Sequence, residues 1–278
     1  MIPYSSLIKS YQDGVNIHRK KALKIGMPIL LILLILMVVS FMLYNQYILF
    51  MILTYIVPIL IFSCILIVLL VGLYGLEKPF YTLLVSGLIK HLALTENRWL
   101  NYTAFDKEKA LFIAGGLYPR GASKTTRFKI DWVGENALVN CLCFTEIFTQ
   151  TDKSRVVYFK GLYIVISSSN KDYFQIRTKG KERHRHVKLN RTKRPDKTVI
   201  FTNERPVPKT ALSLYNDLSS QYSKVAVSGI PGAIHVSIEP FFAFKQKPTL
   251  TPEQIDSVHK ELVKAIAIAD HISATFSD

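Results

Sequence analysis

Ten lysines and arginines fall between positions 177 and 198 of this chain, against only Glu182 and Asp196. That stretch therefore carries +8 of a formal net charge of +15. Within it, Lys179, Lys181, Arg183, Arg185, Lys188, Arg191, Lys193 and Arg194 are the candidate binding residues. Their chemistry is attraction to anionic surfaces: ammonium and guanidinium groups neutralise lipid headgroups, acidic protein or nucleic-acid phosphate. Other residue types invite a catalytic or metal reading. His184 and His186 alternate as ligands on a strand would, and Cys141 and Cys143 add two thiols, but zinc needs three or four converging ligands and the spacing supplies no such set. Glu146, His235 and Asp131 are the available acid or base groups. No nucleophile elbow, HExxH pair or phosphate-loop lysine accompanies them, so binding is favoured over catalysis, and no metal or cofactor is expected. Glu146 lies in an apolar strand pattern, where a carboxylate calls for an ion-pair partner or a water-facing strand end.

The basic stretch is positioned by what precedes it, an apolar run over 25–74 with no Asp, Glu, Lys or Arg from 25 to 76. A single helix of that length would reach about 75 Å, more than twice the roughly 30 Å of bilayer hydrocarbon. Two transmembrane helices, 25–44 and 48–74, joined by a tight turn at Asn45-Gln46, are expected instead. The apolar residues cover every side of both helices, which excludes a soluble amphipathic hairpin. A secretory signal is excluded by the length of the run and of the charged leader. Pro28 is expected in the first turn of the first helix and Pro58 inside the second. The leader 1–24 holds five basic residues against Asp13, and the turn holds none, so both termini are expected in the cytoplasm of a multi-pass protein.

The organisation that follows is a leader (1–24), a membrane hairpin (25–76), a juxtamembrane helix (77–94) and an α+β domain (95–278) with a mainly antiparallel sheet and flanking helices. Phe80, Leu84, Leu88 and Leu92 form a helical stripe for the lipid interface or the domain surface. Trp99, Tyr102 and Phe105 are expected in a loop, and a short helix is expected to end at Gly115-Gly116. Strands are expected over 127–133, 137–148 and 155–167, the second covered on both faces. The segment 177–197 is too polar for core and is expected as a loop. A helix to about Tyr222, a hairpin of 224–227 with 233–238, and a last helix with Thr251, Pro252 and Gln254 at its start complete the domain. The spacing of Cys141 and Cys143 fits free thiols in a reducing compartment.

Phe144-Thr145-Glu146, Phe159-Lys160-Gly161-Leu162-Tyr163 and Thr251-Pro252-Glu253-Gln254-Ile255 occur in this order after a basic leader and an apolar hairpin. In that order and spacing the chain resembles, over most of its length, the bacterial domain-of-unknown-function family 3137. The resemblance implies a bacterial inner-membrane protein and supplies no catalytic residues. The leading functional expectation is an adaptor or regulatory module held by its basic residues against anionic lipid or an acidic protein. Nucleic acid is a weaker candidate, because only Tyr173 and Phe174 stand near the charges to stack bases. A membrane-surface enzyme is weaker still. Oligomeric state is not encoded in any pattern here.

Overall fold

The computed structural model of the chain describes residues 4–42, 55–63, 65, 76–106, 112, 114–119, 121–134, 139–151, 154–178, 187–193, 198–203, 205–241, 247 and 249–276. The chain divides into two compact units, Met1–Val85 with Lys245–Ile255, and Ser86–Phe244 with Asp256–Asp278.

In the first unit, helix α1 runs without interruption over Tyr4–Met42. It is long and apolar enough to cross a membrane, and none of its apolar window is buried within the protein. The helix begins within the leader, before the expected span of 25–44, so Pro28, expected in a first turn, lies inside α1 instead. Tyr11 and Val15, four residues apart, bury one face of that leader. The Tyr11 ring meets Phe80 edge-on at 6.3 Å, and its hydroxyl donates to the Lys247 carbonyl at 2.6 Å. Gly14 lets the helix approach Leu83 and Pro79, where a Cβ would collide with the Leu83 side chain. Of the second expected helix, residues 55–63 and 65 are described and helical. The turn at 45–46 and the rest of 48–74 lie outside the described residues, so one candidate span is shown and a two-helix hairpin is not.

The helical segment after residue 76 is one turn of α-helix, Glu77–Pro79, then a π-helix, Phe80–Val85, then α2, Ser86–Thr95. The stripe read from the sequence is the buried one: Phe80, Leu84, Leu88 and Leu92 are each at most 4% exposed.

Among the described residues, the second unit contains nine antiparallel strands: β1 (Leu100–Ala104), β2 (Ser123–Val133), β3 (Val139–Gln150), β4 (Arg155–Ser167), β5 (Phe174–Arg177), β6 (Asn190–Lys193), β7 (Val199–Thr202), β8 (Lys224–Ile230) and β9 (Ala233–Glu239). Their order across the sheet is β1-β2-β3-β4-β9-β8-β5-β7-β6. Two expected loops contain strands among their described residues. Residues 100–104 pair with β2, and Tyr102 stacks on Phe128 at 6.0 Å. Within the basic segment, β6 pairs with β7, and Leu189 packs with Val199 and Phe201 in a small core of its own.

One face of the sheet is apolar across its centre. Leu142 and Phe144 of β3, Leu162 and Ile164 of β4, and Val236 and Ile238 of β9 are all at most 5% exposed. Helix α3 (Lys209–Gln221) and helix α4 (Pro252–Thr275) carry matching apolar stripes. A capping box opens α4, with Thr251 N–H donating to Gln254 Oε1 and Gln254 N–H to Thr251 Oγ1. Asn140 is the polar node on this face: its Nδ2 donates to Ser273 of α4 at 3.0 Å and its Oδ1 accepts from the Ser167 amide at 2.9 Å. Arg98 clamps Asp270 of α4 through two nitrogens at 2.7 and 2.8 Å.

The β4–β9 seam is close-packed at Gly161, where a Cβ would strike the Ile238 carbonyl, a backbone atom that cannot move aside. Gly121, by contrast, faces open space. Gly161→Ala is expected to destabilise the domain by about 1–3 kcal/mol while Gly121→Ala stays within about 0.5 kcal/mol, measured by chemical denaturation.

Candidate functional site

The pairing register places two adjacent rows of side chains across the second face of the sheet. One row is Tyr163, Ser237, Ala226, Arg177, Val199 and Lys193; the other is Val165, His235, Ser228, Gln175, Phe201 and Arg191. The centre of this face is polar and buried, with Ser228 and Gln175 at 0% and His235 at 1% exposure. A strap containing Phe112 and residues 114–119 lies across the rows. Three successive carbonyls of the strap, Gly115, Gly116 and Leu117, accept hydrogen bonds from Ser228 Oγ (2.7 Å), Gln175 Nε2 (3.0 Å) and Arg177 Nη2 (3.3 Å). Buried carbonyls need partners, and these side chains satisfy them where neither helix nor ladder can.

The two glycines expected to end a helix do so, with different tasks. A Cβ on Gly115 would stand 2.6 Å from the Tyr163 hydroxyl and 2.7 Å from the His235 ring, so the strap could not descend onto the sheet. Gly116 takes the left-handed backbone at φ 62° that favours glycine. On the strap's other side, Phe112 packs on Tyr163 at 4.6 Å and Tyr118 on Phe159 at 5.2 Å, over Cys141 and Cys143.

Beyond Leu117 the strap and the adjoining strands enclose an open cleft of about 630 Å³. Tyr118, Tyr158 and Phe159 give it an aromatic wall; Arg177, Lys224 and Glu239 are its charged groups. Arg177 is 7% exposed, and its Nη2 also donates to Gln175 Oε1 at 2.8 Å. Glu239 is 8% exposed; one oxygen accepts from the Lys160 amide and the other from Lys224 Nζ at 2.8 Å. Burial pushes the Tyr118 phenol up, against a smaller downward pull from its hydrogen bond with Ser237, and burial likewise raises Tyr163. The hydrogen bond with Cys141, and then burial, raise the Cys143 thiol. These phenols and this thiol are therefore neutral donors or acceptors at pH 7.

Of the residues singled out from sequence, Lys188, Arg191 and Lys193 are exposed, the last two on edge strand β6. Lys179, Lys181, Arg183, Arg185 and Arg194 lie outside the described residues, as do His184 and His186. Arg177, read with that loop, is a buried member of β5 instead, drawn in by its strap and Gln175 partners. The three acid or base candidates go to separate partners: Glu146 to Arg155 at 2.8 Å, Asp131 to Lys129 at 3.2 Å, and His235 Nδ1 to the Tyr163 hydroxyl at 3.2 Å. Cys141 and Cys143 are free and buried, with sulfurs 4.0 Å apart. The described residues contain no group of three or more His, Cys, Asp or Glu able to hold a metal ion.

Sequence reasoning missed Gln175, Ser228, Ser237 and Glu239. The signal was present in Ala233–Glu239, where Ile234, Val236 and Ile238 alternate with His235, Ser237 and Glu239. No protein-family model, curated protein or solved structure matches the chain.

Ser228→Ala removes the donor to the Gly115 carbonyl. It is expected to lower stability by about 1–3 kcal/mol and to speed hydrogen exchange in the strap more than in β3 and β4. Uniform exchange changes across the sheet would contradict the strap's dependence on that bond.

Proposed function

We propose that this chain is a membrane-anchored adaptor or regulatory protein whose α+β domain docks on an anionic surface through its basic sheet edge. What supports this most is β6: all four of its residues are exposed, and Arg191 and Lys193 continue, across the register, the rows that contain Gln175 and Arg177. Lys188 adds a third exposed cation, and Lys179, Lys181, Arg183, Arg185 and Arg194 flank them in sequence. Each Lys or Arg close to an anionic leaflet contributes about 1 kcal/mol, fading over a Debye length of about 8 Å. A tether raises the local concentration of that leaflet, so lipid headgroups are the first partner and an acidic protein the second.

The anchor in this reading is a two-helix hairpin, 25–44 and 48–74, with both termini in the cytoplasm of a bacterial inner membrane. Exposed Ile25, Met27, Leu31 and Phe41 on α1 favour hydrocarbon around it, and the basic leader favours a cytoplasmic N-terminus. Membership of the family 3137 group belongs to the same proposal and rests on the three motifs and their order.

The full chain in nanodiscs provides the test. With phosphatidylglycerol in the disc, amides of 187–193 are expected to exchange more slowly than in phosphatidylcholine discs, and high salt or the pair Arg191→Glu, Lys193→Glu is expected to erase the difference. Equal exchange in both lipids would reject lipid as the partner.

A further inference from the structure

The cleft beside the strap lies apart from the exposed basic edge, and its chemistry points to a different kind of ligand. Its volume of about 630 Å³ is that of a site for a small molecule rather than for a polypeptide. Its aromatic wall of Tyr118, Tyr158 and Phe159 is suited to an apolar or flat body. Its charged groups are two cations and one carboxylate, a formal sum of +1 from Arg177, Lys224 and Glu239. The deep cation is Arg177, more than nine-tenths buried, with its guanidinium plane set by Gln175 and the Leu117 carbonyl. The Lys224 amine is mostly exposed and already lies on Glu239.

We propose that this cleft binds a small monocarboxylate with an aromatic or aliphatic body, the carboxylate meeting Arg177 and the body lying against Tyr118, Tyr158 and Phe159. A guanidinium attracts a carboxylate by charge, and with both Nη2 hydrogens already donated to Leu117 and Gln175 the contact here is charge-assisted rather than a two-pronged fork. A single negative charge balances the lining. A phosphate monoester, with a charge of about −1.5 to −2 at pH 7, overshoots it and meets Glu239. A cationic ligand meets the same net positive lining. The strap supplies both Tyr118 and the carbonyl that orients Arg177, so occupancy of the cleft is linked to order in the strap.

The test uses the full chain in phosphatidylcholine nanodiscs, with empty discs as the control for partition into lipid. The probes are 4-phenylbutyrate, indole-3-acetate and decanoate, each paired with the alcohol of the same body, followed by ligand-observed NMR. At least one acid is expected to bind at least about tenfold more tightly than its alcohol, the margin of a charge-assisted hydrogen bond. Arg177→Gln is expected to abolish that margin, and Ala226→Phe, which fills the cleft floor, to abolish binding. Should Arg177→Gln fail to fold, Ala226→Phe with an unchanged melting temperature carries the test alone. Three results overturn the assignment: no acid binding at millimolar concentration, equal binding of every acid and alcohol pair, or acid binding that survives Ala226→Phe.

Discussion

The hydrogen bonds from Ser228, Gln175 and Arg177 to three consecutive strap carbonyls are the constraint on which the sheet domain depends. A nine-stranded antiparallel sheet could leave one face in water. This one covers its apolar face with helices and the centre of its polar face with a single stretch of backbone. Buried amides, hydroxyls and a guanidinium are tolerable only when their partners are supplied, and a strap running across strands brings a carbonyl roughly every residue. The geometry explains why Gly115 and Gly116 occur together: one removes a side chain at the point of contact, and the other allows the backbone to turn. It also makes Arg177 a wall of the cleft rather than a solvated loop cation.

Charge is arranged around this polar face in a graded way. At its centre Arg177 is buried among neutral acceptors, Lys224 and Glu239 pair near the cleft mouth, and Arg191 and Lys193 stand in water on the last strand. Cations in water act at a distance and are screened by salt, whereas a buried guanidinium acts at contact and is screened little. The edge is therefore suited to reversible association with an anionic surface, and the cleft to a defined small ligand. One sheet thus presents two kinds of positive charge, separated by the small core of Leu189, Val199 and Phe201.

Long periodic elements were legible in the sequence. Residues 155–167 form the expected strand, the Thr251 capping box opens the last helix, and the stripe from Phe80 to Leu92 is buried as its spacing required. Glu146 took the ion pair with Arg155, one of the two outcomes its apolar strand pattern allowed. Four-residue strands were not legible, because β5, β6 and β7 are too short for alternation to stand out and two of them border the charged segment. Pro28 was misplaced because the helix starts in the leader, whose buried contacts, Tyr11 with Phe80 and Lys247, join residues far apart in the chain. The cleft was hidden for the same reason: Tyr118, Arg177, Lys224 and Glu239 come from four separate stretches, and only the register brings them together. Alternation in β9 announced a polar face, but nothing local said that a strap would cover it.

Placement of the strap can be measured directly by replacing Tyr118 with the photoreactive p-benzoylphenylalanine in the full chain and mapping the cross-linked peptides by mass spectrometry. Cross-links to the β8 and β9 peptides around Val225 and Ser237, which line the cleft with residue 118, are the expected result. Cross-links to β1, or to the helices of the opposite face, would contradict a strap laid over the polar rows.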